Sequence, residues 1–357
     1  MTLTATIAAG LAACAGIVFS ATALGQTRPA RYENPVVLQR ADPWILKHTD
    51  GFYYMTASVP EYDRLEIRRS KTIQELGSVE PKIVWRKHAK GIMGAHIWAP
   101  ELHRIGDSWY IYFAAGEAEK IWNIRIYVLS NSSADPMSGE WVERGQLKTN
   151  WESFALDSHT FEHKGRRYLT WAQNDPKLGR GTSVYIAEMS DPLHIKGEQV
   201  RITRPELRWE KIGHPVNEGP ATLVRNGRIF LAYSASATDA NYCMGLLTAD
   251  ENADLLDPNS WKKSPEPVMV TTKETGQYGP GHCSFTISED GRTDLLVYHA
   301  RPYEKVHPDP LRDPNRHARV QPITWNPDGT PNFGTPVADT RPTITRTPEG
   351  VTTKTAR

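Results

Sequence analysis

Cysteine is nearly absent from this chain, with three in 357 residues. That is too few for a fold that depends on disulfides. Net charge is lacking too: 42 Lys and Arg face 41 Asp and Glu, leaving +1. Such a balance excludes the broad basic surface of a non-specific nucleic-acid binder. Long helical periodicity is scarce, which excludes helical bundles and coiled coils. No glycine-rich phosphate loop, zinc-ligand spacing or serine nucleophile elbow occurs. Only one long uncharged apolar run exists, residues 3–25, and its Ala and Gly content makes it weakly hydrophobic for a membrane helix. Small residues around Ala21, Ala23 and Gly25 suit a cleavage site, so residues 1–25 read as a secretory signal and 26–33 as a linker. Leu11-Ala12-Ala13-Cys14 also resembles a lipoprotein cleavage box, a lesser alternative. The expected location is secreted or periplasmic, with no membrane insertion of the mature domain.

What the chain has in quantity is punctuation and aromatic residues: 26 Pro, 26 Gly and 11 Trp. This composition favours short strands and turns. Five strand-like segments, FYYMTAS, WYIYFAA, RYLTWAQ, IFLAYSA and LLVYHAR, each follow a turn element and precede another strand. The small residue near each end is Ala57, Ala114, Ala172, Ser234 or Ala300, giving steps of 57, 58, 62 and 66. A period of that size, built only from strands and turns, predicts an all-β, five-bladed β-propeller over 34–338. Residues 339–357, rich in Thr, Pro and charge, read as a frayed tail, with a strand in an outer blade as the alternative.

In a propeller the innermost strands line one channel, so residues distant in sequence converge there. Asp42, Glu101, Asp157, Glu218 and His282 lie 59, 56, 61 and 64 residues apart, tracking the period, and are expected in register on five inner strands. Asp42, Asp157 and Glu218 form a carboxylate trio amid apolar flanks. Mutual repulsion and burial should raise at least one pKa, leaving a proton donor beside an ionised base. Glycoside hydrolysis needs such a pair. The trio suits that chemistry without assigning roles.

The strings ADPWI, HIWAPELH, FALDSHTF, NEGPA and GPGHCSF, in this order, resemble glycoside hydrolase family 43, from about residue 34 to about 338. YSASATDANYCMGLL and the segment from PLRDPNRHARV onward look like its exo-acting α-L-arabinofuranosidase branch. The resemblance implies an inverting hydrolase releasing terminal L-arabinofuranose from arabinan, arabino-oligosaccharides or arabinosylated hemicellulose of plant cell walls. A β-xylosidase or endo-arabinanase of the same family is the alternative; a non-catalytic carbohydrate-binding propeller is another. The resemblance makes Asp42 the general base, Glu218 the general acid, and Asp157 the group that orients the acid and raises its pKa. His282 matches a histidine near the central axis that in many members meets a metal ion or ordered water. Here Cys283 follows it where relatives often have Asn.

No cofactor is expected for catalysis, with a structural Ca²⁺ or other ion on the axis near His282 as the one candidate. Candidate substrate contacts are Trp44, Trp98, Glu101 and Arg301. Each has an ordinary structural alternative: core packing for the tryptophans, an ion pair for Arg301, a structural role for Glu101. His317 and Arg319 form a polar cluster on the last blade. Cys243 and Cys283 remain after signal removal, and the sequence leaves their pairing open.

Overall fold

A computed structural model describes residues 1–2, 32–306, 309–347 and 350–354. Apart from the first two residues, the signal segment and Cys14 lie outside the described residues, as does most of the linker. Among the described residues, no helix is long and apolar enough to cross a membrane.

The chain forms a five-bladed β-propeller. Four blades are antiparallel four-stranded sheets taken in chain order. Their inner strands are Ala41–Lys47, Ala95–Ile105, Ala155–His163 and Asn217–Arg225. The fifth blade has three strands, Tyr278–Ile287, Asp294–Arg301 and His317–Pro322. Each aromatic-rich segment found in the sequence is the second strand of its blade. The outermost strands, such as Lys82–Arg86 and Val142–Gln146, are short and largely exposed, which is why they left little signal.

Second strands are apolar almost throughout because both faces are covered. Ile111 and Phe113 pack into the core shared with the first blade, while Tyr112 packs into the core shared with the third. Ile229 and Leu231 face the third blade, whereas Phe230 and Ala232 face the fifth. Leu295 and Val297 close the ring against Ile45, Tyr53 and Met55 of the first blade. The period-two alternation of the strand thus divides each blade between its two neighbours.

The ring is fastened by residues from both ends of the described chain. Val37 bridges antiparallel to Ala318, at the free edge of the fifth blade. Val36 N–H donates to Ala318 O and Ala318 N–H to Val37 O, both at 2.9 Å. Asn34, buried, donates from Nδ2 to Val320 O and accepts from Val320 N–H, again 2.9 Å each. Within the segment read as a frayed tail, the described residues make specific contacts. Asp339 holds Arg319, whose Nε donates to Oδ1 at 2.9 Å. Asn34 N–H donates to Thr340 Oγ1, and Thr343–Thr347 pairs with Gly350–Lys354 in a hairpin separate from the blades. Cys243 and Cys283 are unpaired thiols in different cores.

Replacing Asn34 with Ala strands the N–H and C=O of Val320. We predict a loss of about 1–3 kcal/mol, read as a lower midpoint in denaturant unfolding with an unchanged slope. An unaltered midpoint would show that the clasp contributes nothing.

Candidate active site

Each inner strand carries a bulge, one extra residue relative to its partner strand, at an equivalent place. The shifts fall between Ala41 and Trp44, Trp98 and Glu101, Leu156 and His159, Glu218 and Ala221, and Gly281 and Ser284. The residue after the first of each pair has a positive φ: Asp42 (53°), Ala99 (45°), Asp157 (56°), Gly219 (55°) and His282 (44°). A left-handed conformation at a non-glycine residue costs on the order of 1–2 kcal/mol, and bulges commonly re-aim side chains beside active sites.

This register corrects the expected one. Asp42, Asp157 and His282 are equivalent; Glu218 stands one position earlier, level with Trp98. Glu101 stands two positions later, level with Trp44 and His159.

Asp42 is buried and over-determined. Ser58 Oγ donates to Oδ2 at 2.5 Å, and Arg316 Nη1 lies 3.3 Å from Oδ1. His282 Nδ1 is 3.3 Å from Oδ1, and the Asp42 N–H donates to His299 Nδ1 at 3.0 Å. Burial alone would raise this carboxyl. His282, Arg316, His299 and the Ser58 hydrogen bond together hold it well below the usual carboxylate range. Arg316 is the permanent charge among them. His299 is kept neutral by burial, and its Nδ1 lone pair is taken by the Asp42 amide.

The other two carboxyls are shifted the opposite way. Asp157, also buried, accepts from Gly219 N–H at 3.0 Å and lies 3.9 Å from His282 Nδ1. Burial and the charges of Glu218 and Asp42 push it well up. Glu218 keeps contact with solvent and accepts from the Tyr242 hydroxyl at 2.8 Å. Burial raises it, the Tyr242 bond and Arg316 pull it back and Asp42 pushes it further, leaving it at about 7. The site therefore places an ionised carboxylate, Asp42, and a carboxyl that holds a proton near neutrality, Glu218, in one recess, with Asp157 shifted upward between them. Gly219 is essential to the packing: a Cβ there would lie 3.1 Å from the His282 ring.

Of the other residues singled out in sequence, Trp98 borders this layer, but Trp44, Glu101 and Arg301 are engaged with the protein itself. Trp44 Nε1–H donates to Leu102 O, and its ring packs 4.7 Å from His103. Arg301 donates to Thr238 O and Pro310 O at 2.6 Å each and is fully buried, so it braces loops and does not present itself to substrate. His317 accepts from Gln39 N–H and Arg319 binds Asp339; Arg316, beside them, is the residue at the site. Arg316, Tyr242, His299 and Ser58 were missed. A short run of basic residues, NRHARV, was the only available signal for the first.

Neither candidate ion site presents an oxygen cage of the kind Ca²⁺ takes. Ca²⁺ takes about 6–8 oxygen ligands, whereas the carboxylates near His282 lie on its Nδ1 side and belong to the trio. Glu101, His103 and His159 bring ligand atoms within 4.8 Å of one another. However, His159 Nε2 accepts the Thr222 N–H at 3.2 Å, which puts the proton on Nδ1, donating to Glu101 at 3.0 Å. His159 therefore keeps no lone pair for an ion. This cluster is a hydrogen-bonded floor beneath the trio.

A five-bladed propeller with buried, oppositely shifted carboxyls at its inner-strand bulges defines a class of carbohydrate-active enzyme folds. Residues 32–331 match the model for glycosyl hydrolases family 43, and the chain belongs to that family. It is 55% identical over 308 residues to a Streptomyces avermitilis protein named extracellular exo-α-(1→5)-L-arabinofuranosidase, covering 86% of this chain and 64% of that one. It is 52% identical over 337 residues to α-L-arabinofuranosidase 43 of Humicola insolens, covering 94% and 68%. The chain thus spans about two thirds of the length of these relatives. A crystal structure of an α-L-arabinofuranosidase from Lactobacillus brevis superposes with a TM-score of 0.84 at 52% identity, covering 86% of this chain and 98% of that one.

Because the Tyr242 hydroxyl favours the ionised form of Glu218, Tyr242→Phe should move the Glu218 midpoint above its native value of about 7. Carbon NMR of carboxyl-labelled glutamate would follow it. An unmoved or lowered midpoint would contradict the assignment.

Proposed function

We propose that the chain is an inverting exo-α-L-arabinofuranosidase, removing terminal L-arabinofuranose from arabinose-containing poly- or oligosaccharides of plant cell walls. The observation that carries this reading is the unequal treatment of the carboxyls. Asp42 is held ionised by His282, Arg316, His299 and Ser58, while Glu218 retains a proton near neutrality. Asp42 then acts as base, drawing a proton from water as that water attacks the anomeric carbon. Glu218 acts as acid, protonating the departing glycosidic oxygen. Asp157 grips the backbone next to Glu218 through Gly219 N–H and orients the acid. His282 spans the distance between Asp42 and Asp157. The names of the relatives support the sugar, and the word extracellular in one supports secretion. The reaction so composed moves only protons and one sugar bond, and needs no metal.

Asp42→Ala should lower kcat by about 10²–10⁴-fold on every arabinofuranoside, since water activation is required whatever departs. Glu218→Ala should lose as much on arabinotriose but far less on an aryl arabinofuranoside, whose leaving group departs with little protonation. Steady-state kinetics on both substrates check this, with circular dichroism confirming the fold. Near-normal turnover by Asp42→Ala would overturn the base assignment.

A further inference from the structure

One tryptophan of this chain is placed unlike the others. Trp122 is 55% exposed, and it is the only aromatic residue among the exposed large hydrophobic side chains of the described residues. Its position is not that of a loose loop tip. Asn123 N–H donates to Lys120 O at 2.8 Å and Asn123 Nδ2 to Glu117 at 2.6 Å, closing the turn. His96 Nδ1 bonds Ile121 O at 2.9 Å, tying that turn to the inner strand of the second blade. The bond to a carbonyl puts the proton on Nδ1 and fixes the ring.

The indole continues inward as an aromatic ladder. Trp122 lies 4.8 Å from His96, and His96 stacks on Trp98 at 4.3 Å with 18° between planes. Tyr62 meets Trp98 edge-on at 5.6 Å, and its hydroxyl accepts from Arg316 Nη2 at 2.8 Å. Arg316 is the guanidinium that holds Asp42. Trp98 occupies the register position equivalent to Glu218 (Trp98 opposite Ala114, Glu218 opposite Ser234). The ladder therefore runs from the layer of the acid to solvent. The Trp98 Nε1–H is buried and has no acceptor among the described residues. A donor left so is an unmet polar group that a ligand oxygen would satisfy.

Rigid aromatic faces, one buried donor and continuity with the carboxyl recess are the features of a sugar-binding surface. The C–H faces of a sugar ring are apolar and its hydroxyl rim accepts hydrogen bonds. We propose that Trp122, with His96 and Trp98, binds the arabinofuranose units on the leaving-group side of the cleaved bond. The site so formed recognises a chain rather than a single sugar. This rests on the arabinofuranosidase reading of the carboxyls. Trp122 is a binding residue here and takes no part in proton transfer.

The test uses full-length Glu218→Gln protein, to prevent turnover, and titration calorimetry with (1→5)-linked arabinotriose and with free arabinose. Adding Trp122→Ala should raise the ratio of the arabinotriose to the arabinose dissociation constant about ten-fold, equivalent to about 1.4 kcal/mol. Trp122→Phe should restore most of it. An unmoved ratio, or equal loss with Phe and Ala, would overturn the platform. Hydrolysis of arabinotriose by the unmutated protein is measured alongside. If it proceeds while the ratio stays fixed, only the platform is wrong; if no arabinose is released, the enzymatic reading falls and the platform falls with it.

Discussion

The contact between Arg316 and Asp42, 3.3 Å between Nη1 and Oδ1, organises the rest of this molecule's chemistry. Three carboxyls in one recess cannot all ionise, and burial raises each of them. A permanent cation beside one of the three decides which gives up its proton first. That cation arrives through ring closure. Val37 pairs with Ala318, Gln39 N–H reaches His317, and these contacts set Arg316, immediately before the same strand, against Asp42, five residues beyond Val37 in the chain. Fastening the propeller and charging Asp42 are one event. The Ser58 hydroxyl extends it, donating to Asp42 while accepting from Ala99 N–H at 2.8 Å in the second blade.

The bulges are the second constraint. Without an extra residue at 42, 157 and 282, the pleat would turn alternate side chains into the inter-blade cores instead of the channel. Their strain is balanced by neighbours in other blades: His299 under the Asp42 amide, Ser234 Oγ under the His282 amide at 2.7 Å. Gly219 makes the fourth bulge tight enough for His282 to lie against it. The second bulge has Ala99 at the equivalent place, which leaves that sector of the site to Trp98. Two positions further along that strand, Glu101 is hydrogen-bonded to His103 and His159.

The blade period and the carboxylate trio were legible because they repeat. Second strands buried on both faces are written as apolar runs, and Asp42, Asp157 and Glu218 interrupt apolar flanks. The offset of Glu101 from Asp42 was not legible. A bulge adds a residue to one strand only, and spacing near 60 cannot reveal an offset of two. Arg301 and Arg316 look alike in sequence; only the structure shows one bonded to carbonyl oxygens and the other to a carboxylate. Trp122 left no trace, since a lone tryptophan in a turn does not differ in sequence from one in a core.

If Asp42 and Glu218 act from opposite sides on one bond in a single displacement, the anomeric centre inverts. Proton NMR of the first minutes of α-L-arabinofuranoside hydrolysis measures this directly. The β-anomer of arabinofuranose should appear first, before mutarotation, and added methanol should yield no methyl arabinofuranoside of retained configuration. Initial release of the α-anomer, or such a transfer product, would require a covalent sugar–enzyme intermediate and carboxyls only about 5–5.5 Å apart. Asp42 could then no longer be the base that activates water.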